Sequence, residues 1–247
     1  MTSIVAWHGF MGSKEDFSLL SEQSSFSIEA FDLVGHGEAR NPSSVEQFHL
    51  SKQLDYWKEH LPIDRILLGY SMGGRLALQF ACRYPERLKG LILIGATPGI
   101  EEEELRLKRR EWDHKMAEIL EREGMVSFYS LWQSLPIIQS QQNIEASFLA
   151  QMRQRRLHQD STSLAQSLRY FGTGTMEPCW KQLKNINIPV LFLAGEYDRK
   201  YCDIGYRIKE YLPESSVGII PDAGHCCHLE QAKRSLMEIE SWIRTIR

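Results

Sequence analysis

The chain has 247 residues, 43% of them hydrophobic, which suits one α/β domain with a large buried core and argues against disorder. Its formal net charge of -3 creates no global attraction for nucleic acid or for an anionic membrane. No run of about 18 apolar residues and no basic leader occurs, so we expect a cytoplasmic protein without a membrane segment.

Short apolar runs alternate with longer helical patterns along the chain. Six of these runs are bounded by Gly, Pro or Asp and lack polar alternation, as is typical of strands buried on both faces of a parallel sheet. Helices between such strands predict a doubly wound α/β sheet of about six mostly parallel strands. The predicted strands are 4–7, 26–31, 65–68, 88–94, 189–193 and 217–220, and the predicted helices are 47–60, 72–83, 204–211 and 229–246.

Residues 100–172 break this alternation because they are charged, helical in pattern throughout and without a convincing strand. We interpret them as a helical cap inserted into a core made of residues 1–99 and 173–247. The acidic run at 101–104 is typical of the first turn of a helix, where carboxylates favour the positive end of the helix dipole.

The most informative segment surrounds Ser71, which follows an apolar strand and precedes an apolar helix in the pattern Gly-x-Ser-x-Gly. Gly69 and Gly73 leave room for a tight strand-to-helix turn on which the serine hydroxyl points out of the carboxyl edge of the sheet. This context predicts a nucleophile elbow.

A serine hydroxyl needs a neighbouring base, and the base needs a third group that fixes its tautomer. Asp198 follows the predicted strand 189–193, and His225 follows the last predicted strand. The chain order Ser71, Asp198, His225 is that of the α/β-hydrolase fold, so we predict that these three residues form a catalytic triad.

An oxyanion hole needs two backbone N–H groups that point at one position. In this fold the residue after the nucleophile, Met72, supplies one of them, and Phe10 in the loop 8–12 is expected to supply the other. We expect His8 and His36, which lie in glycine-containing turns, to brace their loops through the ring nitrogens.

Several further motifs lie along the chain: WHGFMGSKEDF, FDLVGHG, GYSMGGRLAL, GATPGI, GEYDRKY and AGHCCHLE. With these motifs the chain resembles, across almost its whole length, the 2-succinyl-6-hydroxy-2,4-cyclohexadiene-1-carboxylate synthases of menaquinone or phylloquinone biosynthesis. The triad segments are shared with many hydrolases, whereas the Gly-Gly-Arg after the elbow and the Pro-Gly before an arginine-rich helix are more specific. The resemblance implies a lyase that removes pyruvate from a 5-enolpyruvoyl precursor by proton abstraction.

The implied substrate is a small tricarboxylate, which a near-neutral protein must bind with local arginines. Arg75 lies one helical turn after Ser71 in an otherwise apolar stretch, where an unpaired charge is prohibitive. Carboxylate binding is favoured over the alternative, an internal salt bridge. Tyr70 also matches the family and is expected either to face the substrate or to pack as a core aromatic.

In the cap, the family pattern implies two further anion-binding arginines, Arg109 and Arg156, and a tryptophan at Trp132. Arg110 remains open as an alternative to Arg109, and Arg153 as an alternative to Arg156. The sequence contains no dinucleotide loop and no cluster of metal-ligand spacing, and its five cysteines form no CxxC pair. We therefore expect no cofactor and no metal, while the oligomeric state stays open.

Three functions remain compatible with these residues. The first is the lyase, and the second is a hydrolase of carboxylic esters or carbon–carbon bonds that uses the same triad with water. The third is a non-catalytic binding module on a hydrolase scaffold. Pocket arginines argue against a neutral ester, and the intact catalytic positions argue against the binding module.

Overall fold

The computed structural model describes residues 3–212 and 214–246, and its apolar runs form one six-stranded parallel sheet. The spatial order is β2-β1-β3-β4-β5-β6, so the order of the strands reverses beside β1. Ligands of such sheets bind beyond the carboxyl ends of the strands at this reversal. The strands are β1 (Ser3–Trp7), β2 (Ser27–Phe31), β3 (Arg65–Tyr70), β4 (Leu88–Ile94), β5 (Val190–Gly195) and β6 (Ser216–Ile220).

The central strands are apolar on both faces because helices cover each side of the sheet. Successive residues of β4 alternate between two hydrophobic clusters: Leu91 and Leu93 pack on one face, and Ile92 and Ile94 on the other. The first face is covered by α2 (Leu50–His60), α3 (Met72–Arg83) and α8 (Arg199–Tyr211), and the second by α1 (Ser18–Gln23), α9 (Cys227–Glu230) and α10 (Ala232–Thr245).

The two edge strands correct the expectation that every strand is buried on both faces. In β2 the side chains are exposed or half-buried, and in β6 only Ile220 is buried. An edge strand has a neighbour on one side only, so fewer helices reach its outer residues. The predicted helix at 204–211 also begins earlier, at Arg199, and the predicted helix at 229–246 is divided in two at Gln231.

The inserted segment is helical, as the sequence predicts, and no strand interrupts residues 100–172. Its first helix has a kink at Gly124, where a positive φ of 76° departs from helical geometry. A third hydrophobic cluster joins the insertion to the core, since Met11 packs there beside Leu120, Phe128 and Leu164. The helices are α4 (Glu103–Gln133), α5 (Pro136–Gln139), α6 (Ala146–Leu157) and α7 (Ser161–Phe171).

Among the described residues, no helix is both long and apolar enough to cross a bilayer.

Candidate active site

Ser71 occupies a sharp turn between β3 and α3. Its φ of 50° and ψ of -103° lie outside the regions that non-glycine residues favour, which is the strained geometry of a nucleophile elbow. Two glycines make the turn possible: a Cβ at Gly73 would overlap the carbonyl oxygen of Trp7, and one at Gly69 would overlap Gly74. The Ser71 backbone N–H donates to the Ile94 carbonyl at 2.9 Å, which ties the turn to β4.

The Ser71 hydroxyl lies beside a histidine whose far side meets a carboxylate. The Oγ atom of Ser71 is 3.0 Å from Nε2 of His225, and Nδ1 of His225 is 2.6 Å from Oδ2 of Asp198. A carboxylate can only accept, so Nδ1 carries the ring proton and Nε2 is left as the acceptor for the Ser71 hydroxyl. The three groups therefore have the geometry of a serine triad.

The triad opens into a cavity of about 400 Å³ between the sheet edge and the insertion. Asp198 stands behind His225 and does not line it, and neither do Arg110 and Arg153, the alternatives left open by the sequence. All the other candidate site residues converge on this space. They are Phe10, Tyr70, Ser71, Met72, Arg75, Arg109, Trp132, Arg156 and His225.

Arg75 is 8% exposed and is held by neutral groups only. Its Nη2 donates to the Phe171 carbonyl at 3.1 Å, and its Nη1 donates to the Thr173 hydroxyl. Among the described residues it has no ion pair within 4.0 Å. Burial, with a smaller contribution from Arg109, lowers its pKa to about 10, so the guanidinium remains charged at neutral pH. The sequence left open an internal salt bridge for Arg75, and the described residues provide none.

The two arginines of the cap are held differently. Nε of Arg109 donates to Oδ1 of Asp113 at 2.9 Å, which forms an ion pair within one helical turn. Arg156 is 4% exposed and donates through Nη1 to the Gln141 side chain at 2.8 Å. Arg156 thus has a neutral partner, whereas much of the charge of Arg109 is balanced within the protein.

Comparison with known proteins agrees with this geometry. The family model described as the alpha/beta hydrolase fold matches residues 2–232. A protein of Bacillus subtilis (strain 168), provisionally named 2-succinyl-6-hydroxy-2,4-cyclohexadiene-1-carboxylate synthase, is 36% identical over 94% of this chain and 86% of its own length. The solved structure of MenH from S. aureus is 32% identical, has a TM-score of 0.89, and is covered over 93% of its length by 98% of this chain.

The chain belongs to the 2-succinyl-6-hydroxy-2,4-cyclohexadiene-1-carboxylate synthase family, within the α/β-hydrolase superfamily. A thermophilic esterase from Thermogutta terrifontis, solved with malate bound, is also similar: it is 25% identical with a TM-score of 0.81, and 100% of this chain covers 90% of it.

Several polar residues of this synthase-family site were not singled out from the sequence, among them Asp113, Thr173, Lys200 and Tyr201. Asp113 lines the cavity and accepts a hydrogen bond from Arg109, and the Thr173 hydroxyl accepts one from Arg75. Tyr201 packs its ring 4.6 Å from that of His225, and Lys200 precedes it at the cavity wall. The signal that could have identified Lys200 and Tyr201 is their position directly after Asp198, at the carboxyl end of β5.

The turn histidines contact loops rather than the cavity. Nε2 of His8 accepts from the Leu33 backbone N–H at 3.0 Å, and its Nδ1 donates to the Gly9 carbonyl at 2.8 Å. His36 donates to the Val34 carbonyl at 3.2 Å, and burial lowers its pKa to about 3. Both rings brace the loops that follow β1 and β2, as the sequence predicts.

No group of three or more His, Cys, Asp or Glu side chains suited to a metal ion occurs within residues 3–212 and 214–246.

Proposed function

We propose that the enzyme eliminates pyruvate from 2-succinyl-5-enolpyruvoyl-6-hydroxy-3-cyclohexene-1-carboxylate and so forms 2-succinyl-6-hydroxy-2,4-cyclohexadiene-1-carboxylate. The observation that carries the proposal is the convergence of a serine triad and three arginines on one cavity. The name of the Bacillus subtilis relative and its 36% identity support this choice of reaction. The same proposal assigns the enzyme to menaquinone or phylloquinone biosynthesis in the cytoplasm, where five free cysteines remain reduced.

In the proposed reaction Ser71 acts as the base that removes a carbon-bound proton, and His225 receives the proton of the Ser71 hydroxyl. The electron pair of the broken C–H bond at ring carbon C2 is first shared with the neighbouring carbonyl as an enolate. It then forms the C2=C3 double bond, while the existing C3=C4 double bond shifts to C4=C5. The C–O bond to the enolpyruvoyl group then breaks, and this group leaves with its electron pair as an enolate that becomes pyruvate on protonation. Asp198 stabilises the imidazolium that forms meanwhile.

Proton removal beside a carbonyl places negative charge on the carbonyl oxygen. We assign its stabilisation to the backbone N–H groups of Phe10 and Met72, both of which line the cavity next to Ser71. Each donor of this kind contributes about 3 to 4 kcal/mol in known enzymes. The Phe10 ring lies 5.1 Å from that of Trp132, so a cap side chain covers this part of the site.

Recognition of the tricarboxylate is assigned to Arg75, Arg109 and Arg156, with Tyr70 and Trp132 packing against the ring of the substrate. A guanidinium matches a carboxylate with two parallel hydrogen bonds, and this pairing strengthens in a site shielded from water. Arg75 and Arg156 fit this role best, because in the structure their hydrogen-bond partners are neutral.

A second candidate function is hydrolysis of an ester or a carbon–carbon bond by the same triad with water. The observation that favours it is the likeness to the Thermogutta terrifontis esterase, at 25% identity. Hydrolysis would require an acyl group on Ser71, whereas the elimination requires none.

The deciding experiment is incubation of the purified enzyme with the enolpyruvoyl precursor, with pyruvate release followed by a coupled lactate dehydrogenase assay. We expect wild type to release pyruvate faster than the enzyme-free solution does, and we expect Ser71→Ala to lose this acceleration. Release equal to the enzyme-free rate would reject the lyase. A fluorophosphonate probe that fails to label Ser71 in the same preparation would favour a non-catalytic binding role instead.

A further inference from the structure

The charges around the cavity are only partly balanced within the protein. Four cationic side chains line it, and two carboxylates, Asp16 and Asp113, line it as well. Asp113 pairs with Arg109, and Asp16 pairs at 3.3 Å with Arg155, which is not part of the cavity wall. The four cationic residues are Arg75, Arg109, Arg156 and Lys200.

After these pairs are counted, three cavity cations lack an anionic partner: Arg75, Arg156 and Lys200. Within the described part of the chain, none of the three has a carboxylate within 4.0 Å. The proposed substrate carries three carboxylates. Without Lys200 only two unbalanced cations would face them, and bringing an unmatched carboxylate into a partly desolvated site is unfavourable.

Lys200 occupies the second position of α8, two residues after Asp198. Its Nζ lies 5.6 Å from the centre of the Tyr201 ring, which in turn packs against His225. Partial burial and the charge of Arg109 lower the pKa of Lys200, while Asp198 opposes this change. The Lys200 ammonium group is near the Arg109 guanidinium and beside the Tyr201 ring, so an incoming anion is attracted to both cations.

We propose that Lys200 binds one carboxylate of the tricarboxylate substrate and is, beside Arg75 and Arg156, the third cavity cation that no protein carboxylate balances. Arg109 contributes hydrogen bonds to the substrate, while Asp113 balances its charge. The inference rests on the proposed function of the site. Lysines on helices are ordinarily solvated, and Lys209 on the same helix is an example, since it is exposed and does not line the cavity. Lys200 differs because it lines the reaction cavity close to the triad.

The position of Lys200 defines how its loss changes the kinetics. The side chain is exposed at the cavity wall, so its attraction for the substrate acts in the ground state as well as in the transition state. An interaction of this uniform kind lowers KM and leaves kcat largely unchanged. Because the contact is electrostatic and near solvent, salt weakens it.

The test measures pyruvate release from the enolpyruvoyl precursor by wild type, Lys200→Met, Lys200→Arg and the control Lys209→Met. We expect Lys200→Met to raise KM about tenfold at low salt, with a smaller change in kcat, and Lys200→Arg to recover most of the loss. The difference from wild type should shrink at about 0.5 M salt. Lys209→Met should match wild type, and all four proteins should react equally with a neutral fluorophosphonate at Ser71.

The outcomes separate this inference from the function on which it rests. If wild type releases no pyruvate, the proposed reaction fails and Lys200 loses its assigned ligand. If wild type is active and Lys200→Met has the KM of wild type, the reaction stands and the role of Lys200 is wrong. An equal rise in KM for Lys200→Met and Lys209→Met would also overturn the inference, because it would reflect net charge alone.

Discussion

Arg109 and Asp113 form an ion pair across one turn of α4, with Nε of the guanidinium 2.9 Å from a carboxylate that is 0% exposed. The other oxygen of Asp113 accepts the Gly174 backbone N–H at 3.1 Å. The neighbouring Thr173 holds Arg75, which lies one turn after the nucleophile. One buried carboxylate therefore connects the cap, the loop that follows α7 and the helix that carries Ser71.

We predict that Asp113→Asn destabilises the protein by about 1 to 3 kcal/mol, because a buried ion pair is lost and the new amide hydrogens must find acceptors. The kcat/KM for the enolpyruvoyl substrate should fall as well, since Arg109 loses its fixed position. Urea unfolding and pyruvate release measure the two effects. Glu111→Gln removes an exposed charge from the same helix and serves as the control. An unfolding midpoint for Asp113→Asn equal to that of the control contradicts the prediction.

Asp198 fixes the tautomer of His225 through the 2.6 Å contact to Nδ1. In Asp198→Asn the amide can donate to Nδ1, which places the ring proton on Nε2, where it can no longer accept from Ser71. We expect kcat to fall by about 10³- to 10⁴-fold, together with slower labelling of Ser71 by a fluorophosphonate. Asp203→Asn alters an exposed carboxylate on α8, the helix that follows Asp198, and should behave as wild type. Retained activity in Asp198→Asn would remove Asp198 from the triad.

Elimination by proton abstraction predicts that no bond forms between the Oγ atom of Ser71 and a substrate carbon. Intact-protein mass spectrometry during steady turnover should therefore find only the unmodified chain. A sample treated with fluorophosphonate is the positive control, since it demonstrates that an adduct on Ser71 is detectable. An adduct with the mass of a substrate fragment would support the hydrolase instead.

The triad could be predicted from the sequence because each member follows a recognisable apolar strand, and the carboxyl ends of parallel strands meet at one edge. Ser71 had the further signal of its two flanking glycines. Asp113 and Thr173 carried no comparable pattern, and Lys200 was marked only by its position two residues after Asp198. Asp113 and Thr173 meet the site only through the packing of α4 against α7, and nothing in local sequence specifies how a cap folds back over a sheet.

The same distinction holds for the fold. The number and direction of the strands followed from the alternation of apolar runs and helices, whereas the partial exposure of β2 and β6 depends on their edge positions in the sheet. The position of Arg156 in the cavity was inferred from family resemblance, because a helix with three arginines near its end does not reveal which one points inward.

Two buried histidines make the stability of the protein dependent on pH. Burial lowers the pKa of both His36 and His228 from 6.5 to about 3, with a smaller effect of His8 on the first and of His225 on the second. Between these values the unfolded chain binds protons that the folded chain does not. Stability is therefore complete above pH 6.5 and falls as the pH is lowered toward 3, with a limiting slope of about 1.4 kcal/mol per pH unit for each ring.

His228→Phe tests this dependence. The His228 ring lies 5.5 Å from Phe17 and 4.5 Å from Tyr70, and neither of its nitrogens has a hydrogen-bond partner in the described residues, so phenylalanine can occupy the same aromatic stack. We expect the unfolding free energy of this variant to fall less steeply than that of wild type between pH 6 and pH 4. The two slopes should differ by about the contribution of one titrating group, and urea unfolding at several pH values measures them. His60→Gln, which alters an exposed histidine, should retain the wild-type slope. Parallel curves for His228→Phe and wild type would reject the assignment.

Arg75 provides the sharpest separation between the lyase and a general hydrolase. A lost charge-assisted hydrogen bond costs about 1.5 to 3 kcal/mol, so Arg75→Ala should reduce kcat/KM for the enolpyruvoyl substrate by about ten- to a hundredfold or more. Arg75→Lys should recover only part of this loss, because an ammonium keeps the charge without the planar fork that meets a carboxylate. Hydrolysis of a small neutral ester, measured at the same low salt, should change little in both variants. Arg75 also anchors the Thr173 loop through neutral partners, so its replacement could act on shape instead of charge. In that case the anionic and the neutral substrate would lose activity equally, and Arg75 would be a structural residue of the elbow helix and no part of the anion site.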